Sequence, residues 1–560
     1  MTGVGRSRAG AVDLVDRRVE IFAYGAILLL AAWLRLGNLA VRGTWDADQG
    51  HDMLVLRALV LDGRVPLLGP PTSIGDFHHG MLYYLLLAPA AALSRGDPIT
   101  VTTWIALGGV LVVGVTGWLA RSISGPLAGL LAALLLAVSA SAVEESIFIW
   151  NPNLVALSSS IALAAAWWAW RSERVRWWVV AGGGAVVTMQ CHVLGVILTP
   201  VIGGLLVADF RRRRARGDRR GAGAVGMAAL GWLGIALVSY IPLAIHELGN
   251  DASELRAAIA FLVGGGGPAA IALPARVPIV ALRVLGWPLT GLLTAAPIAS
   301  LLAAGLVVWL AVWRGWLGAP PTRGTGAAEE RTAVRWLALG LAWTVVALAV
   351  GASSLATVVA GLPNDHYHAF ADPMVVTLVA IGLAGLVRRR PTSGTPGIAT
   401  RVPGALAVVI VVALVGWNFA SQPPARAADG GWDAARTAAA RVIALGGGGP
   451  LVLSSLPTFK SDEALRMPLE AAGADVMPAG INGASFGGPG STLVILCDQL
   501  FRDTIGADCG GPAEDAWLVD PRSGLPASAL PGRIAAVVTR FEAAPGRWIS
   551  VYRTSAPAGA

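Results

Sequence analysis

Blocks of about 16–25 apolar residues with little or no charge recur along the chain, and each is long enough to cross a ~30 Å hydrocarbon layer as a helix. Backbone polar groups inside a bilayer must be bonded within the segment, so helices are what such blocks can form. Only 14% of the residues are charged and 55% are hydrophobic, where a soluble domain carries about a quarter charged residues. An ordinary cytosolic enzyme is thereby excluded. The chain reads as an all-α polytopic membrane protein.

The net charge of +8 would suggest a nucleic-acid partner in a soluble protein. Here the basic residues bunch between apolar blocks, as in Arg211–Arg214 and Arg388–Arg390. Short Arg-rich loops stay in the cytoplasm, so this charge is topology signal and no nucleic acid is expected. Lys460 is the only lysine. Three cysteines are too few for a disulfide scaffold or a Cys-rich zinc site. Residues 1–19, with Arg6, Arg8, Arg17 and Arg18, read as a retained cytoplasmic flank rather than a cleaved signal.

Parity organises the rest. A first span over Glu20–Ala40 runs from inside to outside. Arg121, then Arg171, Arg174 and Arg176, then Arg211–Arg214 all become cytoplasmic if spans lie near 99–120, 125–142, 153–170, 177–191 and 193–210. This works only if Met81–Leu93, about 13 apolar residues, does not cross and is an interfacial helix instead. Residues 42–98 then form one long outside loop. Further spans near 222–245, 294–313, 336–356, 373–387 and 403–420 bring the expected total to about eleven, within a membrane domain of 20–421. Residues 246–277 are expected to be an outside loop. The N-terminus lies in the cytoplasm and the C-terminus outside the cytoplasmic membrane of a bacterium.

Residues 430–560 change character. Strand-like runs at Leu451–Ser454, Thr492–Cys497 and Trp548–Tyr552 alternate with helix-like stretches at Trp432–Ala444 and Asp462–Ala472. That alternation suggests a small α/β domain on the outside. A disulfide between Cys497 and Cys509 is allowed there; two unpaired thiols are the alternative.

Sorted by side, the unusual polar residues gather outside. The first loop holds Asp46, Asp48, Gln49, His51 and Asp52, then Asp76, His78 and His79 just before Tyr83-Tyr84. Later outside segments hold Glu144-Glu145 with Asn151, then Gln190 with His192, then His366-Tyr367-His368. Six of the seven histidines fall in these places. Histidine interleaved with carboxylate on one face is the pattern of a metal or acid–base site, although loops are polar by default and Asp or Asn commonly caps helices.

These residues resemble a known family. A long first outside loop with an Asp motif, followed by a helix that begins at a Tyr pair, resembles the GT-C glycosyltransferases. Within them the pattern is most similar to the protein mannosyltransferase and aminoarabinose-transferase group, glycosyltransferase family 39. The family's Asp-Glu corresponds to Asp48-Gln49, and its Pro-Pro-Leu-Tyr-Tyr-like segment to Gly80-Met81-Leu82-Tyr83-Tyr84. An aromatic-then-Pro motif matches His366-Tyr367 followed by Pro373. The resemblance covers roughly residues 20–390. The chain departs from the pattern at Gln49, at His78-His79 and at Asn151, where the family's second-loop Asp falls.

The resemblance implies transfer of a sugar from a polyprenyl-phosphate donor to a glycan, lipid or protein acceptor at the membrane's outer face. Asp48 would be the base for the acceptor hydroxyl, with Asp46 second. Asp76, His78, His79, Tyr83, Glu144, Glu145, Asn151, His192, His366 and Tyr367 would line the substrate site. The departing phosphate would be met either by a divalent metal held by His78, His79 and Glu144, or by an arginine such as Arg57 or Arg64. The rival classes are a flippase for lipid-linked glycans and a non-catalytic accessory subunit. A flippase would place ionisable groups deeper and on both sides.

Overall fold

The structure, a computed structural model, describes residues 16–72, 77–263, 271–318, 325–352, 355, 365–388, 398–458, 460–478, 492–520 and 534–554. Helix α1 (Arg17–Leu36) starts where the Asp16 carboxylate accepts from the Arg18 N–H and stops at Gly37. Asn38, in the left-handed region at φ 52°, then turns the chain into the one-turn α2 (Leu39–Arg42). The first helix therefore ends four residues before the expected span does. The loop that follows carries α3 (Ala47–Asp62) and α4 (Leu82–Ser94). Helix α4 is 13 residues long, shorter than a full crossing needs, and the Tyr83 and Tyr84 hydroxyls at its start tie it to Asp52 of α3.

The membrane part continues through α5 (Pro98–Ser124), α6 (Pro126–Val138), α7 (Ala140–Glu144), α8 (Val155–Ser172), α9 (Arg176–Cys191), α10 (Leu198–Ala215) and α11 (Arg219–Ser239). It is completed by α12 (Ile241–Gly249), α13 (Ser253–Val263), α14 (Leu273–Thr290), α15 (Pro297–Val312), α16 (Thr325–Gly351), α17 (Asp372–Val387) and α18 (Ile398–Ala420). Among the described residues nine helical segments are long and apolar enough to span a membrane. Helices α6 (13 residues) and α9 (16 residues), at two further places where crossings were expected, are shorter than those nine.

Ion pairs mark one of those ends. Arg121 meets Glu20, Arg171 meets Glu329, Arg216 meets Glu173, Arg314 meets Glu330, and Arg388 donates to Ser124 Oγ. These contacts tie α1, α5, α8, α16 and α17 together at the Arg-rich end, while the histidines lie at the opposite end. Within the bundle the segment Asp365–Val387 is 94% buried, against 17% for the spans in α11 and α18. The first is a central helix wrapped by the others; the last two present apolar faces outward, as lipid-facing helices do. Close approach to α17 depends on small residues: a Cβ at Gly382 would sit 2.7 Å from that of Leu310.

Residues 246–277 are not a plain loop. They contain α13 and the start of α14, an 18-residue helix with Pro278 and Pro288 inside it. The two internal prolines argue against a helix locally. The tertiary contacts outweigh them, because Arg283 is held by Asp365 and the Leu355 carbonyl. Arg331 and Arg335, ahead of the span expected near 336–356, belong to α16.

The C-terminal domain is a five-stranded sheet in the order β2-β1-β3-β5-β4, with β1 (Leu451–Leu456), β2 (Val476–Pro478), β3 (Thr492–Asp498), β4 (Ile534–Ala544) and β5 (Arg547–Thr554). The first three strands are parallel and β5 is antiparallel to both its neighbours. Helices α19 (Gly431–Gly446) and α20 (Glu463–Ala471) pack between the sheet and the membrane part; α21 (Arg502–Ile505) and α22 (Pro512–Val519) follow β3. Cys497 and Cys509 are bridged.

Candidate active site

Helix α3 presents the acidic motif. Gln49 is buried and fully used: its Oε1 accepts from the Asp46 N–H at 2.8 Å and its Nε2 donates to the Ile149 carbonyl at 2.9 Å. A carboxylate could not make the second bond, so an amide is the residue this position calls for. Asp48 and Asp52, four residues apart, share a face of α3. The Asp52 oxygens accept the hydroxyls of Tyr83 at 2.7 Å and Tyr84 at 3.0 Å. Burial pushes the Asp52 pKa up to about 7, against those two hydroxyl bonds. The Tyr pair that opens α4 thus holds a buried carboxyl of α3.

Asp48 is different. Among the described residues its carboxylate makes no hydrogen bond or ion pair, and it reaches solvent while protein crowds around it. Desolvation raises its pKa; Lys460 and His51 oppose the rise, and Asp46 and Glu463 add to it. Asp46 is fully engaged. Lys460 Nζ contacts its Oδ2 and Arg547 Nη2 lies 3.0 Å from its Oδ1, so its pKa falls despite burial.

Those two cations come from the C-terminal domain, which sits directly on α3. His51 Nδ1 pairs with Glu463 at 2.9 Å, Trp45 Nε1 donates to the Ala464 carbonyl, and the Trp45 N–H donates to Asp429. Gly50 has no room for a side chain there, since a Cβ would lie 2.2 Å from the Glu463 carbonyl oxygen.

A second group forms where the other outside segments meet. His79, His192 and Tyr367 stack in series with ring centroids 4.9 Å apart at each step; His366 lies 4.2 Å from Tyr367 and 4.0 Å from Trp150. His79 Nδ1 accepts from the Val193 N–H, and His192 Nδ1 from the Leu194 N–H. Each neutral ring therefore carries its proton on Nε2. Burial, then the neighbouring His192 and His78, holds the His79 pKa well below the usual value. Asn151 is a structural clamp: its Nδ2 donates to the Cys191 carbonyl at 2.6 Å.

Other expected residues are placed elsewhere. His78 is taken up by Glu254 of α13, through its backbone N–H at 2.6 Å and its ring at 2.9 Å. Glu144 is exposed at the end of α7, whereas Glu145 Oε1 is enclosed with no partner among the described residues. Burial and the adjacent Asp372 keep the Glu145 carboxyl well above its usual range. Arg64 pairs with Asp62 at the surface and Arg57 donates to the Arg95 carbonyl. Asp76 lies outside the described residues.

The set His78, His79 and Glu144 is not brought together. Among the described residues no three His, Cys, Asp or Glu side chains are arranged to hold a metal ion. Sequence reasoning missed Asp52, Lys460, Arg547 and Glu254. Of these only Asp52 carried a signal, one turn beyond Asp48 and with a Tyr pair downstream to hold it.

No protein-family model and no curated protein matches the chain. Among solved structures it is similar to ArnT from Cupriavidus metallidurans bound to undecaprenyl phosphate, with a TM-score of 0.55 at 13% identity over 95% of this chain and 97% of that one. The apo form of the same ArnT gives a TM-score of 0.51 at 13% identity, with the same coverage. The chain has the fold of ArnT over 95% of its length.

Proposed function

We propose that the protein is a membrane glycosyltransferase that moves a sugar from a polyprenyl-phosphate donor to a hydroxyl of a glycan, lipid or protein acceptor, with Asp48 as the base. One observation carries the assignment: Asp48 is the only carboxylate of the α3 motif left free. Asp46 is spent on Lys460 and Arg547, and Asp52 on two tyrosines. Desolvation also raises the Asp48 pKa towards working pH, which suits general-base catalysis.

In this reading the donor's prenyl chain stays in the bilayer and its sugar–phosphate bond lies at the interface, level with α3 and α4. Asp48 takes the proton of the acceptor hydroxyl as that oxygen attacks the anomeric carbon. The bond from that carbon to the phosphate oxygen breaks and its electron pair leaves with the polyprenyl phosphate. The Nε2–H groups of His79 and His192 are neutral donors. No step is routed through a metal ion. The Arg-rich end faces the cytoplasm, and the site and the C-terminal domain face outward, by the positive-inside rule.

Purified protein in liposomes, supplied with a panel of radiolabelled polyprenyl-phosphate sugars, tests this reading. Release of free polyprenyl phosphate with one donor is expected. Donor carried across the bilayer with its sugar still attached would establish a flippase instead, and binding without turnover of any donor would indicate an accessory subunit.

A further inference from the structure

We propose that Lys460, carried by the C-terminal domain, is a positioning residue of the transfer site: it clamps Asp46 and supplies the fixed positive charge beside Asp48. The domain then completes the active site. This inference rests on the transferase reading for its kinetic consequence, but the clamp itself can be tested without activity.

The geometry is specific. Lys460 lies between β1 and α20, with its ammonium on one oxygen of Asp46 and its charge also acting on Asp48. Arg547, opening β5, takes the other Asp46 oxygen and also donates to the Trp45 carbonyl at 2.7 Å. Both oxygens of Asp46 are thus occupied by cations from the C-terminal domain, and the carboxylate two residues on is left open. The backbone-close packing of Gly50 on Glu463 fixes the distance between α3 and the segment that bears Lys460.

The charges around Asp48 show why a fixed cation matters. Asp46 and Asp52 face it from its own segment and Glu463 from α20, all acidic; against them stand His51, which titrates, and Lys460, which does not near neutrality. Without Lys460, Asp48 would lose the largest charge effect that favours its ionised form, while Asp46, Asp52 and Glu463 remain. The chemistry fits a lysine. Arg547 already provides the planar fork, while a compact ammonium can reach the second oxygen from another direction.

Two measurements decide the proposal. In the first, Lys460→Gln should move the acidic limb of the pH–rate profile upward by about one pH unit, because the base then ionises at higher pH. Lys460→Arg should largely restore it. Trp45→Phe, which removes a docking bond but no charge, should leave the limb in place. An unmoved limb in Lys460→Gln, or an equal shift in Trp45→Phe, would overturn the assignment.

The second measurement needs no turnover. As the only lysine, Lys460 gives a single side-chain signal after reductive ¹³C-methylation, separable from the N-terminal amine by its higher pKa. Asp46→Asn and Asp48→Asn should each lower its titration midpoint. A midpoint that ignores Asp48→Asn would reduce Lys460 to a structural bridge and end the proposal. Absence of transfer alongside a responsive midpoint would count against the transferase reading alone.

Discussion

Replacing Asp52 with asparagine isolates the cost of a buried carboxyl one turn from Asp48. With a folded pKa of about 7, Asp52 stands roughly three pH units above an unperturbed aspartate, equivalent to ~4 kcal/mol at about 1.36 kcal/mol per unit. The native protein keeps a proton there that the unfolded chain releases above pH ~4. The stability contributed by the protonated group is therefore complete below pH ~4 and is lost as pH rises to ~7. Asparagine has no proton to lose. Its Oδ1 can accept from one tyrosine hydroxyl and its Nδ2 can donate to the other. The variant should match the wild type within ~1 kcal/mol near pH 4 and exceed it by ~2–4 kcal/mol at pH 8. Apparent Tm of both proteins in nanodiscs, followed by tryptophan fluorescence at pH 4.5 and pH 8, reads the difference, since other titrating groups cancel between them. A Tm gap that stays constant across that range would refute the reasoning.

Three further outcomes follow from the same packing. Gln49→Glu places a carboxylate against the Ile149 carbonyl with no donor between them and should cost ~2–4 kcal/mol; its Tm should fall more at pH 8 than at pH 5. Arg283→Leu strands the buried Asp365 carboxylate and should cost ~3–5 kcal/mol, and Asp365→Asn in the same chain should recover part of it; yield and Tm of single and double variants in detergent check this. Cysteines placed at Arg64 and Ser461 should both react with a membrane-impermeant thiol reagent applied to intact cells, since Cys191 is buried. Labelling of only one would break the topology argument.

What could be read from the chain beforehand depended on which forces act locally. Apolar length and arginine placement are local, so the crossings and the non-crossing helix at Leu82–Ser94 were legible from residue order alone. Helix α14 was not, because Pro278 and Pro288 argue against it locally and only its packing and the Arg283–Asp365 pair favour it. The same division runs through the site. Asp48 was legible as a motif residue, and its freedom from partners agrees with that role. The engagement of Asp46 was hidden, because Lys460 and Arg547 lie more than four hundred residues away and no periodicity links them. The histidines looked like metal ligands by type and spacing, yet His78 is held by Glu254, on a helix that had read as loop.

The central claim is that Asp48 accepts the proton of the acceptor, and the sugar-transfer rate of Asp48→Asn beside Asp46→Asn tests it most directly. An amide keeps the size and one acceptor of the carboxylate but takes no proton at working pH, so Asp48→Asn should lose ~10²–10⁴ in rate while remaining folded and inserted. Asp46→Asn, which leaves the Asp48 carboxylate in place and removes a negative charge that raises its pKa, should lose less. Near-normal transfer by Asp48→Asn would contradict the account.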